Sequence, residues 1–308
     1  MKAKILVATE KPFAAEAVQK IKQIIDNAGF EFLLLEKYAS KPQLLEAVKE
    51  ANAVVIRSDT IDAEVLDAAR NLKIVVRAGS GYDNVDLNAA TSRKIVVMNT
   101  PGQNANAVAE LALALMVYAA RNFFDGSSGS ELLGKKLGVH AYGNVGRNVA
   151  RIAHGFGMEI YAYDAYCPAE AIEKDGVKAV SSAEELYKTC RYVSLHIPAT
   201  AETKNAINRA LLEKMPPKAV LVNTARREVI NEADLLKIME ERPDFKYLTD
   251  ITPANDAELK AKFPNRYFST PKKMGAQTSE ANNNAGIAAA NQIVDFFKTG
   301  NTKFQVNK

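Results

Sequence analysis

The sequence predicts an α/β protein with two doubly wound domains, because short β-branched runs alternate with amphipathic stretches along most of the chain. Its 308 residues are enough for two domains with a core each. The short runs are apolar throughout rather than at alternate positions, which is typical of parallel strands covered by helices on both faces. Each domain is therefore expected to contain a parallel sheet between two layers of helices.

The first hundred residues contain five predicted strands and four predicted helices. The strands are 3–8, 30–35, 53–57, 74–78 and 95–99. The helices between them are 13–27, 42–51, 63–69 and 87–92. This alternation predicts one doubly wound unit.

A second set of elements begins with a long predicted helix, 105–122, which is rich in Ala, Leu and Met and precedes a Gly- and Ser-containing loop. Six predicted strands follow, at 136–141, 159–163, 192–197, 219–223, 247–250 and 266–269. The predicted helices are 145–156, 183–189, 206–214 and 232–241, with a last one at 280–297. Six strands with crossover helices are what a Rossmann domain requires.

Composition and charge exclude several classes of protein. Apolar residues make up 47% and charged residues 25% of the chain, and the longest apolar stretch, 108–120, is interrupted by Glu110. The net charge of +4 is spread along the chain, which does not favour nucleic-acid binding. Cys167 and Cys190 lack metal-site spacing, and no signal peptide precedes the first strand. We expect a reduced, cytoplasmic protein without a metal.

A glycine-containing turn lies between the first strand and first helix of the second set. Its pattern is Ala141-x-Gly143-x-x-Gly146, similar to the GxGxxG dinucleotide fingerprint. Gly143 would let the backbone approach a pyrophosphate at the helix N-terminus, and Gly146 would let helix and strand pack closely. Ala141 departs from the pattern, so either this turn needs no positive φ or it is locally altered. The predicted cofactor contacts here are Tyr142, Gly143, Asn144, Val145 and Gly146.

Asp164 supplies the second half of the dinucleotide signal. It ends the next predicted strand, 18 residues after Gly146. A carboxylate about 20 residues beyond the fingerprint binds the ribose hydroxyls of NAD. Its charge would repel the additional phosphate of NADP. The predicted cofactor is NAD, although a strand-end turn residue is the simpler alternative for Asp164.

Four further blocks resemble the D-isomer-specific 2-hydroxyacid dehydrogenases, in the order and at the spacing of that family. The similarity covers nearly the whole chain, from Arg57-Ser58 to Asn282. It is strongest to the members that act on phosphoglycerate. The blocks are 77–87, 96–104 with 108–110, 195–198 with Glu202-Thr203, and 222–226.

The resemblance implies a discontinuous organisation. A flavodoxin-like substrate-binding domain would comprise 1–98 and 280–308, with an NAD-binding Rossmann domain, 99–279, inserted into it. The active site would lie in the cleft between them, and closure would exclude water. Family members dimerise through the nucleotide domains, so a homodimer is expected. Eleven residues follow Phe297, so we expect neither the regulatory domain of longer members nor inhibition by serine.

The resemblance also implies roles for individual residues. Arg226 would clamp the substrate carboxylate, since a guanidinium binds a carboxylate in bidentate fashion, although a structural ion pair is the alternative. The family usually has Gly after this arginine, whereas Arg227-Glu228 follows here. The backbone at Gly79, Ser80 and Gly81 would complete the carboxylate site. Further cofactor contacts are implied for His196, Pro198, Thr203, Thr224, Ala225 and Asp250.

The substrate phosphate would be bound by basic residues after two strands of the first domain. Arg57, with Ser58 beside it, and Arg77 are the candidates. Surface solvation is the simpler alternative for both arginines. Two arginines converging on a cleft favour a phosphorylated substrate over lactate or glycerate.

The general base is where this chain departs most from the family. The usual Thr-Pro-His-Ile-Gly-Ala block is Thr270-Pro-Lys-Lys-Met-Gly-Ala here, so Lys273, or else Lys272, occupies the histidine position. A lysine can act as a base if burial or nearby positive charge lowers its pKa; it could instead only stabilise the alkoxide. The assisting Glu position falls on Asn255, and Asp256 or Glu258 are possible replacements.

The activity implied is NAD-dependent oxidation of D-3-phosphoglycerate to 3-phosphohydroxypyruvate, the first step of serine biosynthesis. The first alternative is a glyoxylate, hydroxypyruvate or D-lactate type reductase on the same fold. The second, from another class, is a non-catalytic NAD-sensing protein. Turnover of unphosphorylated acids would indicate the former, and NADH binding without hydride transfer the latter.

Overall fold

The chain folds into two compact α/β units in a computed structural model that describes residues 2–307. One unit contains the residues up to Asn104 together with those from Thr278 onward, and the other contains Ala105–Gln277. Both sheets are parallel, so the predicted fold class is confirmed. Within residues 2–307, no helix has the length and apolar character needed to cross a membrane.

The first unit is built on a five-stranded sheet with the order β2-β1-β3-β4-β5, the flavodoxin-like order. Its central strands are buried because helices cover both faces. The strands are β1 (Lys4–Thr9), β2 (Glu31–Glu36), β3 (Ala53–Ile56), β4 (Ile74–Arg77) and β5 (Val96–Asn99). The helices are α1 (Ala15–Asn27), α2 (Lys41–Val48), α3 (Ala63–Ala68), α4 (Leu87–Ser92) and, from the end of the chain, α12 (Ser279–Thr299).

The last residues pair with the edge strand of this sheet. Gln305 forms an antiparallel bridge with Met98 of β5. The amide of Val306 donates to the carbonyl of Val97 at 2.9 Å, and the Val97 amide donates to Asn307 Oδ1 at 2.8 Å. The tail thus satisfies backbone groups that an edge strand would leave open.

The second unit is built on a seven-stranded sheet with the order β12-β11-β10-β9-β6-β7-β8. The order reverses between β6 and β9, and such a switch point is where ligands bind in open α/β sheets. The strands are β6 (Lys136–His140), β7 (Glu159–Tyr163), β8 (Lys178–Ala179), β9 (Tyr192–Leu195), β10 (Val220–Asn223), β11 (Lys246–Thr249) and β12 (Tyr267–Ser269). The helices are α5 (Ala105–Ala120), α6 (Asn144–Gly155), α7 (Ala169–Glu173), α8 (Ala183–Thr189), α9 (Arg209–Leu212), α10 (Glu232–Glu241) and α11 (Asp256–Lys262).

Four short elements of the second unit differ from the prediction. Seven strands form the second sheet rather than six, because β8 has two residues and is too short to show a periodicity. The helix predicted at 206–214 is confined to Arg209–Leu212, since Ile207 instead pairs with Ile230 in a parallel bridge. The short helices α7 and α11 were not predicted.

The helix predicted at 105–122 ends at Ala120, and a left-handed turn follows it. Asn122, Phe123 and Phe124 have φ values of 49°, 58° and 55°, which non-glycine residues rarely adopt. Lys246 Nζ stabilises the turn by donating to the Ala119 carbonyl at 2.8 Å and to Asn122 Oδ1 at 2.9 Å. The helix stops here because these contacts turn the chain away from its axis.

Candidate active site

The fingerprint turn follows β6, at the switch point of the seven-stranded sheet. Gly143 is the N-cap of α6, and a methyl group added to it would meet no atom within 4 Å. A Cβ on Gly146 would lie 2.3 Å from the carbonyl oxygen of Ala141, so this position requires glycine for close packing of helix and strand. The backbone before α6 is therefore open to a ligand, with the amides of Asn144 and Val145 at the positive end of the helix.

Ala141 has a φ of +78°, in the left-handed region. The alternative that this turn needs no positive φ is therefore wrong. The conformation is imposed from both sides: the Ala141 amide donates to the carbonyl of Tyr163 at 2.8 Å, and its own carbonyl packs against Gly146. An alanine here carries a backbone strain that the usual glycine avoids.

Replacing Ala141 with glycine is expected to stabilise the fold. Relief of the left-handed strain exceeds the added entropy of the unfolded chain, so the free energy of unfolding should rise by about 0.5–1 kcal/mol. Urea denaturation of both proteins measures the change. Ala150→Gly, inside α6, is the matched control and should lose about 1 kcal/mol or more. A loss of stability in Ala141→Gly as large as in the control would contradict the strain.

Asp164, directly after β7, is anchored by three backbone amides. Oδ2 accepts from the Tyr142 amide at 2.7 Å, and Oδ1 accepts from the amides of Tyr166 and Cys167 at 2.8 and 2.9 Å. The carboxylate is thereby tied directly to the fingerprint turn. It fits the ribose-binding prediction, and its contacts also show the turn-forming role that was the alternative.

The carboxyl edge of this sheet carries several buried polar atoms without a protein partner. Thr224 Oγ1 and Asp250 Oδ1, which follow β10 and β11, form no hydrogen bond within residues 2–307. His196 Nε2, after β9, has none either in the described part of the chain. Buried polar atoms are normally bonded, so their concentration at one edge indicates a bound group that would satisfy them.

Two other predicted cofactor contacts organise their own loop. Thr203 Oγ1 donates to the carbonyl of Pro198 at 2.6 Å and accepts from the Thr200 amide at 2.8 Å. Thr203 therefore fixes the loop after β9 from within. Pro198 is exposed on the same loop, so its surface is accessible to a ligand.

Buried His140, at the end of β6, lies beside half-buried His196, which follows β9 and has a buried Nε2 atom. The His196 amide donates to the His140 carbonyl at 2.9 Å, and His140 Nδ1 is 3.3 Å from Tyr187 Oη. Burial lowers the pKa of His140 to about 4, against a smaller raising effect of Asp164. Burial and the neighbouring His140 lower the pKa of His196 to about 3. Both rings are neutral in the folded protein at neutral pH.

Acid is expected to destabilise this unit through these histidines. An unfolded histidine has a pKa of about 6.5, so below that pH the unfolded chain binds protons that the folded chain does not. Stability is fully present above about pH 6.5 and falls as the pH is lowered; at about pH 5.5 each ring costs about 1.4 kcal/mol.

Denaturation followed across this pH range tests the histidine effect. His140→Gln should remove about half of the pH dependence of the free energy of unfolding, because one of the two buried rings is gone. His154→Gln, on the exposed face of α6, is the control and should leave the slope unchanged. Equal slopes in wild type and His140→Gln would refute the assignment.

Arg226 follows β10, and its guanidinium contacts a backbone carbonyl. Its Nη1 donates to the carbonyl of Ala225 at 2.8 Å, and within residues 2–307 no carboxylate forms an ion pair with it. The structural ion pair considered as the alternative is therefore absent from the described chain. The neighbouring Arg227 is exposed, and its Nε lies 3.9 Å from Glu232.

Asn223, which the sequence analysis did not identify, shapes the turn that carries Arg226. It is fully buried; its Nδ2 donates to the carbonyl of Arg226 at 3.0 Å, and its Oδ1 accepts from the Ala225 amide at 2.9 Å. An asparagine directly after a buried strand is a turn signal that could have identified it.

Lys272 and Lys273 are exposed in the segment that follows β12. The possible replacements for the assisting Glu are engaged elsewhere: Asp256 Oδ1 accepts from Tyr267 and Ser269, each at 2.6 Å. Glu258 pairs with Lys262 at 2.8 Å on α11. The oxygen of Asn255, at the Glu position itself, is buried and forms no hydrogen bond within residues 2–307.

The two arginines predicted to bind the phosphate, Arg57 and Arg77, lie together at the carboxyl ends of β3 and β4. Arg77 Nε donates to the Arg57 carbonyl at 3.0 Å, and its guanidinium lies over Gly79, where a Cβ would be 1.6 Å from Nη1. Gly79, with a φ of 150°, is thus required by this close approach. Burial and the charge of Arg57 lower the pKa of Arg77, with Asp83 opposing.

Arg57 is held by neutral oxygens. Nη1 donates to the carbonyls of Lys11 and Pro12 at 2.8 and 3.0 Å, and Nη2 donates to Asn282 Oδ1 at 2.6 Å. Ser58 beside it is exposed. These neutral contacts occupy most of the donors of Arg57 without an ion pair in residues 2–307, and the nearby charge of Asp59 only opposes the lowering of the Arg57 pKa by burial.

Buried Asp59, also missed from the sequence, fixes the loop that carries Arg57. Its carboxylate accepts from the amides of Glu10 and Arg57 at 2.8 and 3.0 Å and from Tyr38 Oη at 2.7 Å. The loop after β4 is fixed separately, since Ser80 Oγ donates to Asn104 Oδ1 at 3.0 Å. Gly81 lies half-buried beside Ser80.

The second unit matches a family model. Residues 114–271 match the D-isomer specific 2-hydroxyacid dehydrogenase, NAD binding domain. A hydroxypyruvate reductase of Thermotoga maritima is 34% identical over 85% of this chain and 90% of its own length. The chain belongs to the D-isomer-specific 2-hydroxyacid dehydrogenase family. The family resemblance inferred from the sequence is confirmed.

Other relatives are phosphoglycerate dehydrogenases rather than hydroxypyruvate reductases. A D-3-phosphoglycerate dehydrogenase of Methanocaldococcus jannaschii is 36% identical over 82% of this chain. The chain spans about half the length of such curated relatives, 51% in this case. A crystal structure of NAD⁺-bound 3-phosphoglycerate dehydrogenase from Entamoeba histolytica is 47% identical, with a TM-score of 0.87, and the match covers 100% of this chain and 99% of that one.

NAD is the cofactor of this family member, as predicted, because the matched model is that of the NAD binding domain. The residues present fit the cofactor. The open backbone at Gly143 suits the pyrophosphate, and the anchored Asp164 suits the ribose. Thr224 Oγ1 and Asp250 Oδ1, which have no hydrogen-bond partner among residues 2–307, lie at the edge where a nicotinamide would end. The second unit is accordingly the NAD binding domain of a D-isomer-specific 2-hydroxyacid dehydrogenase.

Proposed function

We propose that this chain oxidises D-3-phosphoglycerate to 3-phosphohydroxypyruvate. The observation that carries the choice of substrate is the pair Arg57 and Arg77. They converge at the ends of β3 and β4, and neither forms an ion pair within the described residues. Burial lowers the pKa of both guanidinium groups in spite of the nearby charges of Asp59 and Asp83, and a phosphate dianion between the two groups would stabilise their positive form. Arg77 has more free donors, so we assign it the direct contacts with the phosphate.

The chain's own groups then divide the reaction. Arg226 binds the substrate carboxylate, assisted by the backbone of Gly79, Ser80 and Gly81, and so orients C2. Lys273, or else Lys272, takes the proton from the C2 hydroxyl. NAD, when bound, accepts the hydride from C2. The similarity to phosphoglycerate dehydrogenases of matching fold supports this assignment.

A second candidate function is reduction of an unphosphorylated 2-oxo acid. The similarity to the Thermotoga hydroxypyruvate reductase, which extends over 90% of that protein, favours it. It leaves Arg77 without a ligand. A non-catalytic NAD sensor is supported less, because Arg226 and the open fingerprint turn are both present.

Formation of NADH with D-3-phosphoglycerate, and its consumption with hydroxypyruvate, tests the proposal in wild type and Arg77→Ala. We expect Arg77→Ala to raise the KM for phosphoglycerate by about thirtyfold or more, because truncating one partner of a buried charged contact costs 2–5 kcal/mol. Its activity with hydroxypyruvate should change little. Equal losses with both substrates, or no turnover of phosphoglycerate by wild type, would transfer the assignment to the reductases.

We further propose a homodimer formed through the second unit, as in other members of the family. Tyr118, Phe123, Phe124 and Phe268 form an aromatic cluster, with ring centroids of Tyr118 within 4.9–5.2 Å of the other three. Phe124 is 67% exposed, and apolar groups exposed in this way favour an interface. The unpaired Cys167 and Cys190 support a reducing compartment, the cytosol.

A further inference from the structure

The segment Thr270–Gly275, here called the lysine segment, is fixed at both ends although its two lysines are exposed. At its start, the Thr270 amide donates to the Thr249 carbonyl at 3.1 Å, and Thr270 Oγ1 donates to the Lys272 carbonyl at 2.6 Å. The first bond continues the pairing of β11 with β12, and the second closes a tight turn over Pro271. The segment therefore leaves the sheet in a defined direction.

At its other end, the lysine segment is held by Asp250. Oδ2 of this residue accepts from the amides of Met274 and Gly275 at 3.2 and 2.7 Å. Asp250 follows β11 directly and is completely buried. A carboxylate forms stronger hydrogen bonds than a neutral acceptor, and a buried one needs them to offset its desolvation. The carboxylate that holds the lysine segment is thus attached to a rigid strand end.

Glycine at position 275 allows the close approach of its amide to Asp250. A Cβ at this position would lie 2.9 Å from Asp250 Oδ2 and 3.2 Å from Val108 Cγ2. A side chain of any size would push the amide away from the carboxylate or displace α5, on which Val108 lies. The position requires glycine because of a close approach rather than a special φ.

We propose that Asp250 is a positioning residue for the general base, acting through the amides of Met274 and Gly275 to aim the lysine segment. This inference rests on the proposed function, in which one of the two lysines takes the substrate proton. Asp250 was predicted from the sequence as a cofactor contact. In the proposed role, Oδ2 of Asp250 holds the lysine segment, while the buried Oδ1 remains available for the cofactor contact. One carboxylate then joins the nicotinamide end of the cofactor site to the placement of the base.

A double-mutant cycle between Gly275→Ala and Lys273→Ala tests the proposal. The matched control is Gly155→Ala at the end of α6, where an added Cβ meets no atom within 4 Å. The measurements are kcat at saturating substrate, the Kd of NADH by fluorescence, and the melting temperature. If Lys272→Ala has the larger effect of the two lysine variants, that variant replaces Lys273→Ala in the cycle.

We expect Gly275→Ala to lower kcat by about tenfold to a hundredfold, since a displacement of about 1 Å can have that effect, with a Kd for NADH close to that of wild type. The double variant should be no slower than Lys273→Ala alone, because a misplaced base costs nothing once the base is gone. Gly155→Ala should match wild type in kcat.

Multiplied losses in the double variant would overturn the positioning role and leave the lysine base intact. Equal kcat values in wild type and Gly275→Ala would overturn it as well. If neither lysine variant lowers kcat, the lysine base of the proposed function fails first, and the inference fails with it. An unfolded Gly275→Ala is recognised by its melting curve; Asp250→Ala, which removes the acceptor instead, then takes its place in the same cycle.

Discussion

Arg226→Ala is expected to lower kcat/KM for the 2-hydroxy acid by about a hundredfold to a thousandfold. The guanidinium has no carboxylate partner among residues 2–307, so its full charge is available to the substrate. Removing one member of a buried charged contact costs about 2–5 kcal/mol, which corresponds to losses of this size. Steady-state kinetics in the oxidative direction measure the effect, and the Kd of NADH should remain close to that of wild type.

Arg227→Ala is the matched control for this prediction. The two arginines are adjacent, yet Arg227 is exposed and lies near Glu232 rather than in the turn shaped by Asn223. It should retain nearly all activity. Similar losses in both variants would mean that general positive charge, rather than a bidentate clamp, is what the substrate needs.

Lys273→Ala is expected to lower kcat by about a hundredfold to ten thousandfold, the usual contribution of a positioned general base. Lys272→Ala, one residue away, should lose much less. A small primary amine added to the Lys273→Ala protein should restore part of the activity, because it supplies the missing proton acceptor. The measurement is the initial rate of NADH formation with and without the amine.

The reverse order of the two lysine variants would assign the base to Lys272, as the alternative alignment of this segment allows. Full activity in both would show that another group accepts the proton. If Lys273→Ala loses activity that no amine restores, the result would favour the alternative role of Lys273, a fixed positive charge that stabilises the alkoxide.

The sequence was sufficient for the fold class because buried parallel strands are recognisable as apolar runs. β3, β9 and β10 are each fully buried four-residue strands that stand out between polar helices. β8 was missed because two residues carry no periodicity, and its pairing with β7 depends on tertiary contacts. The left-handed turn after α5 was missed for the same reason, since it is stabilised by Lys246, more than a hundred residues away.

Candidate site residues can be proposed from the sequence where a motif implies the chemistry. Gly143, Gly146 and Asp164 follow from phosphate and ribose binding. Asp59 could not be identified in this way, because it holds Glu10 and Tyr38, which only folding brings near it. Asn223 holds the amide of Ala225 two residues away, so its only signal is its position directly after a buried strand. A buried polar side chain of this kind is indistinguishable in the sequence from any other turn residue.

The pairing of the chain's last residues with β5 has a consequence for handling the protein. An uncovered parallel sheet edge is a template for intermolecular strand addition and aggregation. In this chain Gln305, Val306 and Asn307 occupy that edge, so the tail serves as a covalently attached protecting strand. A deletion that removes this tail would expose the edge of β5 and favour aggregation. An affinity tag is therefore better joined at the amino end.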